Sequence, residues 1–222
     1  QMDRFVVRNK TSRARTRVVL EGGSVDVNGQ GLLLTTEQCL LGTKQIRNRG
    51  MTRADIESTL SQHLGATDIC WLQGGIAGDD TNGHVDDVAR FIGPKTVVAA
   101  TESDQMDENY STLSENNKRL TRFRDSEGRQ LNVINLPMPR PLIFDGVRLP
   151  ASYLNFFIGN SVVLVPTFND PADQMALGIL SEYFGDREVV GIYSGDLILG
   201  LGALHCLTQQ QPSGTTARSQ RR

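Results

Sequence analysis

Four side chains from three separate stretches of the sequence, Glu21, His84 with Asp86, and Cys206, are the ones best suited to chemistry. Cys206 stands in LHCLTQQQP (204–212), beside a histidine at the head of a glutamine-rich run, where neither a disulfide framework nor a hydrophobic core asks for a thiol. Glu21 stands in VLEGGS (19–24), ahead of two glycines that permit close backbone approach or unusual φ. His84 and Asp86 share GDDTNGHVDD (78–87); a spacing of two places them on one side of a strand. Together these groups suit attack on a positively charged planar carbon. A thiolate is the nucleophile, its pKa lowered by a nearby cation. Carboxylates such as Glu21 and Asp86 would grip a guanidinium through paired N–H bonds. The histidine would protonate departing ammonia, then activate water against the S-linked intermediate. This chemistry requires no metal and no organic cofactor. By strand alternation His205 points opposite to Cys206, which leaves His84 as the base.

Taken singly, each group also has a plainer reading. Cys206 could be a buried structural thiol, the His84–Asp86 pair a surface hydrogen bond, and Glu21 part of a turn. The run DDTNG resembles a calcium loop but lacks the alternating oxygen ligands and the closing glutamate. His84, Asp86 and Cys206 could be weighed as zinc ligands, yet four closed ligands are not visible. Cys39 and Cys70 sit in apolar contexts and read as core; His63 reads as solvent-facing on a helix.

What separates the chemical reading from the plain one is recurrence. Three segments align: VDVNGQGLLLTT (25–36), ARFIGPKTVVAAT (89–101) and NFFIGNSVVLVPT (155–167). Each reads as a β-hairpin, with turn glycines Gly29, Gly93 and Gly159. A helix follows each: TRADIESTLSQHLG with Thr52 as cap, Ile56, Leu60 and Leu64 on one face and Gly65 as stop; a second over 109–123; and DPADQMALGILSEYFG with Asp170 as cap, Pro171 at the first helical position and Gly185 as stop. Short strands DICWL, LNVINL and EVVGIY close the units. The fold class is therefore α/β, built of β-β-α-β modules of about 65 residues. Such modules protect their edges by closing into a ring, so three modules and the start of another imply a missing N-terminal portion. Glu21 lies eight residues before Gly29, His84 nine before Gly93, and Cys206 eight before Gly214. Equivalent strand starts in a ring converge on its axis.

Composition narrows the rest. The chain has 222 residues, 38% hydrophobic and 22% charged, and a net charge of −2, so no global electrostatic drive toward nucleic acid or anionic lipid exists. The locally basic stretch 4–17 reads as a solvated face. Three widely spaced cysteines without a CxxC pair, and no signal peptide, point to reduced thiols in the cytoplasm. The longest apolar runs are far short of the roughly 20 residues that span a bilayer.

The blocks VLEGGSVDVNGQG, LLTTEQCLL, GDDTNGHVDDVARF, RLPASYLNF and LHCLTQQQP, in this order, resemble the agmatine deiminase family of the guanidine-modifying (pentein) superfamily. The resemblance implies a five-module α/β propeller that converts agmatine to N-carbamoylputrescine and ammonia, a step toward putrescine and the polyamines. The chain would be the C-terminal part of one catalytic domain (1–222), with modules at roughly 18–75, 76–140, 141–200 and a partial 201–222. Carried over by motif, the nucleophile falls on Cys206, the acid/base on His84 and the guanidinium carboxylates on Glu21 and Asp86; Asp80 would bind the substrate's far ammonium. The implied partner is a small guanidine, with no nucleic acid and no membrane, and the implied assembly a homo-oligomer. Alternatives are an enzyme acting on arginine residues of peptides, and a truncated member without turnover. Two departures motivate the last. The family's Trp-Arg-Asp motif is missing, Trp71 being the only tryptophan; and GLGALHC (200–206) replaces a GGGNIHC-like run. The stretch 101–150, with its PMPRP, reads as including a loop near the pocket.

Overall fold

The computed structural model describes residues 17–210. The basic stretch 4–17, Arg17 apart, and Gly214 fall outside these residues. The three hairpin–helix–strand units each form a three-stranded sheet with one antiparallel and one parallel pairing. In the first, β1 (Asp26–Val27) pairs antiparallel with β2 (Leu32–Thr36), and β2 pairs in parallel with β3 (Asp68–Leu72), with Leu34 opposite Cys70. The second repeats this with β4 (Ala89–Phe91), β5 (Thr96–Thr101) and β6 (Asn132–Pro137). A small hairpin, β7 (Ile143–Phe144) with β8 (Val147–Arg148), intervenes. The third uses β9 (Phe157–Ile158), β10 (Val162–Thr167) and β11 (Glu188–Tyr193). The middle strands are apolar and β-branched because sheet partners and packed side chains cover both faces; all five residues of β2 are buried.

Helices cover these sheets. After β2 comes the short α1 (Glu37–Leu41), then α2 (Arg53–Leu64), α3 (Tyr110–Arg122) and α4 (Asp173–Tyr183). Thr52 and Asp55 form a reciprocal capping box at the start of α2, and Gly65 ends it in the left-handed region at φ 68°. Ile56 and Leu60 are fully buried, each stabilising the docked helix by about 1.5–3 kcal/mol. Leu64 departs from the expected apolar face: it is exposed and lines the large cavity instead. The helix of the third module, α4, starts later than expected. The Asp170 carboxylate accepts from Ala172 N at 2.9 Å and its carbonyl accepts from Asp173 N, making a separate turn. Asp173 then opens α4, its carboxylate accepting from Phe168 N and Asp170 N. The stretch 101–150 holds α3, β6 and the β7–β8 hairpin, and none of its residues lines the large cavity.

Alternation along β2 and β3 divides the core. Leu32, Leu34, Cys70 and Leu72 join the main cluster with the second and third modules. Leu33, Cys39 and Trp71 join a smaller one with Ile56 and Leu60. Cys39 and Cys70 are buried as expected, and burial pushes each thiol up to about 12. His63 is exposed. Arg90 binds the modules together. Its Nε donates to Asp26 Oδ1 at 2.8 Å, its Nη1 donates to the Leu154 and Phe156 carbonyls, and its guanidinium lies 4.9 Å from the Phe156 ring centroid. Among the described residues no helix is long and apolar enough to cross a membrane.

Candidate active site

Glu21 and His84 stand at equivalent places, each just ahead of a single 3-10 turn (Gly22–Ser24 and Val85–Asp87) that leads into its module's first strand. Asp86 lies within the second turn, so it does not share a strand face with His84. The strand reading fails because GHVDD coils into a tight turn before β4 begins. Cys206 is in a turn as well, after the 3-10 turn Leu197–Gly200. Strand alternation therefore does not separate it from His205, and both residues line the same cavity. This cavity, of about 1050 Å³, is also lined by Glu21, Asp80, His84 and Asp86.

Two hydrogen-bonded pairs, Glu21–His84 and Asp86–His205, face each other across it. His84 Nε2 lies 2.6 Å from Glu21 Oε2, and its Nδ1 lies 3.9 Å from Asp86 Oδ1. His205 Nδ1 lies 2.6 Å from Asp86 Oδ2, and the Cys206 thiol stands 3.7 Å from that oxygen. His205 is thus part of the site, a correction to its expected outward direction. Asp86 is fully buried, and its Oδ1 has no hydrogen-bond partner among the described residues. Gly23 shows why a double glycine follows Glu21: a Cβ there would come within 2.5 Å of His84 Nδ1 and 2.8 Å of Asp86 Oδ1.

Two further residues escaped the sequence reading. Buried Asn155, just ahead of β9, acts as a hub. Its Nδ2 lies 3.1 Å from Cys206 Sγ, 2.9 Å from Asp87 Oδ1 and 3.2 Å from Asp86 Oδ2, while its Oδ1 accepts from the backbone N–H groups of His205 and Cys206. Its place in the block RLPASYLNF was the available signal. Arg47 lies in the loop between α1 and α2 and donates from Nε to Glu21 Oε2 at 2.9 Å. No pattern in GTKQIRNRG announces it.

The electrostatics depart from expectation at the thiol. Burial, then Asp86 and Asp87, push Cys206 up to about 12, with hydrogen bonds from Asn155 and Ala203 acting the other way. The residue itself is exposed along the cavity, so the nearby carboxylate is the cause a ligand can change. Among the described residues the causes that lower it are these hydrogen bonds and not a neighbouring cation. Asp87 is held well above the ordinary carboxylate range by burial and by Asp86 and Asp79. At Glu21, burial acts upward but is outweighed by the hydrogen bonds and charges of Arg47 and His84, leaving the carboxyl below its usual value.

Asp80 is exposed on the cavity rim, without a hydrogen bond or ion pair among the described residues. Its neighbour Asp79 spends its oxygens on its own loop, accepting from Thr81 N at 2.8 Å and Gly83 N at 2.7 Å, which leaves no calcium-type shell. For a metal, the described residues bring together Glu21, Cys39 and His84, within 4.8 Å. The Arg47 guanidinium already occupies Glu21 Oε2, so a metal cation would meet a fixed positive charge there. Where the resembled run has glycine, Leu201 sits in the left-handed region at φ 63°, and a Cβ on Gly202 would come within 2.9 Å of Cys206 Cβ.

The chain is similar to known proteins over most of its length. The agmatine deiminase of Pseudomonas aeruginosa (strain LESB58) is 40% identical over 222 residues, covering 90% of this chain and 60% of that protein. The structure of the agmatine deiminase of Enterococcus faecalis matches with a TM-score of 0.89 at 36% identity, over 95% of this chain and 62% of that one. A Cys-to-Ser form of the C. jejuni agmatine deiminase with substrate bound matches with a TM-score of 0.83 at 31% identity, over 92% of this chain and 60% of that one. The chain thus spans about 60% of the length of the relatives it matches. The α/β pentein arrangement expected of the modules is the fold of these neighbours. The family model for Porphyromonas-type peptidyl-arginine deiminase matches residues 1–212, and it is to this family that the chain belongs.

Proposed function

We propose that the chain carries the catalytic cysteine, histidine and two guanidinium carboxylates of a hydrolase that converts agmatine to N-carbamoylputrescine and ammonia. The observation that carries the reading is Asp86, whose buried Oδ1 has no donor among the described residues while its Oδ2 lies 3.7 Å from the Cys206 thiol. An unsatisfied buried group costs about 1–3 kcal/mol, more when charged, and a guanidinium N–H removes that cost. The agmatine deiminases to which the chain is similar supply the substrate class.

In this mechanism the guanidinium places one N–H edge on Asp86 and another on Glu21. Its positive charge offsets the carboxylates that hold the thiol protonated, so as substrate binds the thiol gives up its proton to His84 and the thiolate forms. Sulfur adds to the planar carbon. One C–N bond breaks as His84 delivers a proton to the leaving nitrogen, releasing ammonia and an S-alkylthiouronium. His84, now neutral, takes a proton from water as the oxygen adds to the same carbon. The C–S bond then breaks as the added hydroxyl loses its proton to solvent, leaving the ureido product and the thiolate, which takes a proton back from His84. Asn155 donates to the sulfur when it carries charge, and Asp80 at the rim receives the far ammonium. A cytoplasmic setting suits three free thiols, and we expect a homo-oligomer, which light scattering measures.

Ammonia release and ureido product formation with agmatine, measured for the chain and for Cys206→Ala, test the reading; turnover that survives in the variant ends it. Arginine residues of peptides are a second substrate class, prompted by the family's name. Competition between agmatine and an arginine peptide separates the two.

A further inference from the structure

We propose that Arg47 is a positioning residue of the site: from a buried, anchored guanidinium it holds Glu21 Oε2, and so fixes which carboxylate oxygen meets His84 and which is left for a ligand. For its catalytic meaning the inference rests on the hydrolase reading; its structural content does not.

The geometry is asymmetric. The Arg47 side chain is 4% exposed and that of Glu21 40%. Arg47 Nε at 2.9 Å and Nη2 at 2.8 Å both address Oε2, the oxygen that His84 Nε2 meets at 2.6 Å. Three nitrogens therefore converge on one oxygen. Oε1 has no hydrogen bond among the described residues and belongs to a side chain that lines the cavity. The guanidinium cannot drift, because Nη1 donates to the Cys39 carbonyl at 3.4 Å and Nη2 to the Thr81 carbonyl. The next residue, Asn48, holds the backbone ahead of Glu21: its Oδ1 accepts from Val19 N at 2.8 Å and its Nδ2 donates to Val19 O at 3.3 Å. Two consecutive residues of one irregular loop thus hold both the main chain and the side chain that present Glu21.

A buried guanidinium is a costly way to fill space, several kcal/mol per desolvated ion before pairing. An apolar side chain would fill the volume, but it could not choose between the oxygens of a half-exposed carboxylate. The other titratable groups facing this trio are Asp86 from the 3-10 turn, Cys39 from α1 and Asp79 from the loop before His84, with His205 and Cys206 beyond Asp86.

The test is the titration of the His84 imidazole, followed by proton–nitrogen spectroscopy; the chain has three histidines, so assignment by single substitution is direct. In Arg47→Met the Glu21 carboxylate is expected to swing off the ring, lowering the His84 midpoint by about one pH unit, tenfold in proton affinity. Arg47→Lys keeps the charge without the fork of N–H groups, and a smaller fall in the same direction is expected. In a Glu21→Gln background, Arg47→Met is expected to lower the midpoint no further. A rise overturns the proposal, because it means that Glu21 stayed in place and Arg47 was only a bystander charge. An unchanged midpoint, or an equal fall in both backgrounds, overturns it too. If Arg47→Met does not fold, Arg47→Lys decides by the same sign. With agmatine, kcat/KM is expected to fall in Arg47→Met and to show the same loss of effect when Glu21 is Gln. A wild-type chain without turnover sinks the hydrolase reading alone, since the titration needs no substrate.

Discussion

Replacing Asp86 with asparagine should move two properties of Cys206 in opposite directions. The thiol stands 3.7 Å from Asp86 Oδ2, and burial with the adjacent carboxylates holds it up at about 12. At pH 8 only about one sulfur in ten thousand is then thiolate, the form that alkylates. A unit charge at that separation is worth about 4 kcal/mol at an effective dielectric of about 20. Cys206 is exposed along the cavity and His205 pairs with the same oxygen, so screening cuts this to roughly a third. What remains is about one pH unit, or tenfold in thiolate. Asp86→Asn should therefore alkylate with iodoacetamide about ten times faster at pH 8, with Cys206→Ala as the blank for buried Cys39 and Cys70. The same variant loses the carboxylate that grips the guanidinium, so ammonia release from agmatine should fall by at least about a hundredfold. An alkylation rate equal to or below that of the unaltered chain would refute the charge argument, whatever happens to turnover.

Other perturbations separate stability from chemistry. Thr52→Ala removes one half of the capping box at the start of α2; a loss of about 1 kcal/mol, or 2–4 °C in melting temperature, is expected with agmatine turnover unchanged. Gly23→Ala drives a methyl into His84 and Asp86, and calorimetry should show about 1–3 kcal/mol of destabilisation together with a loss of turnover. Asp87 is a buried carboxyl whose folded value lies above its unfolded one, so the folded state binds more protons and stability falls as pH rises from about 4 toward that folded value. Asp87→Asn should flatten this decline and raise the denaturant midpoint at neutral pH; an unaltered slope between pH 4 and neutrality counts against it.

The repeated modules were legible because their signals are local. The leucine-rich run LLLTT, the glycine turns and the Thr52 cap each act over a few residues, and all appear where the pattern places them. The errors of placement came where a short-range contact competes with a motif. Asp170 has the chemistry of a helix cap, but it closes a separate turn on Ala172, and α4 waits for Asp173. Leu64 has helical spacing for the core face, yet the chain turns at Gly65 beside the cavity, and the side chain lines the opening.

The site was legible by residue type and illegible by direction, and the two have different physical origins. A thiol, an imidazole and two carboxylates are rare enough in such settings to be picked out from sequence. Which way each points depends on whether the backbone is a strand or a turn at that residue. Ahead of β1 and β4 it is a 3-10 turn, so a period of two fails for His84 and Asp86; around Cys206 it is again a turn, so His205 comes inward to Asp86. Nor could a sequence show the sign of the thiol's environment. Cys206 was expected beside a cation and instead sits between carboxylates. That inversion has a consequence: the positive charge that readies the sulfur comes from the molecule that binds, so a neutral guanidine isostere should fill the cavity without accelerating alkylation of Cys206. A neutral ligand that speeds alkylation as much as a guanidinium does would mean that the cavity, and not the charge, sets the reactivity.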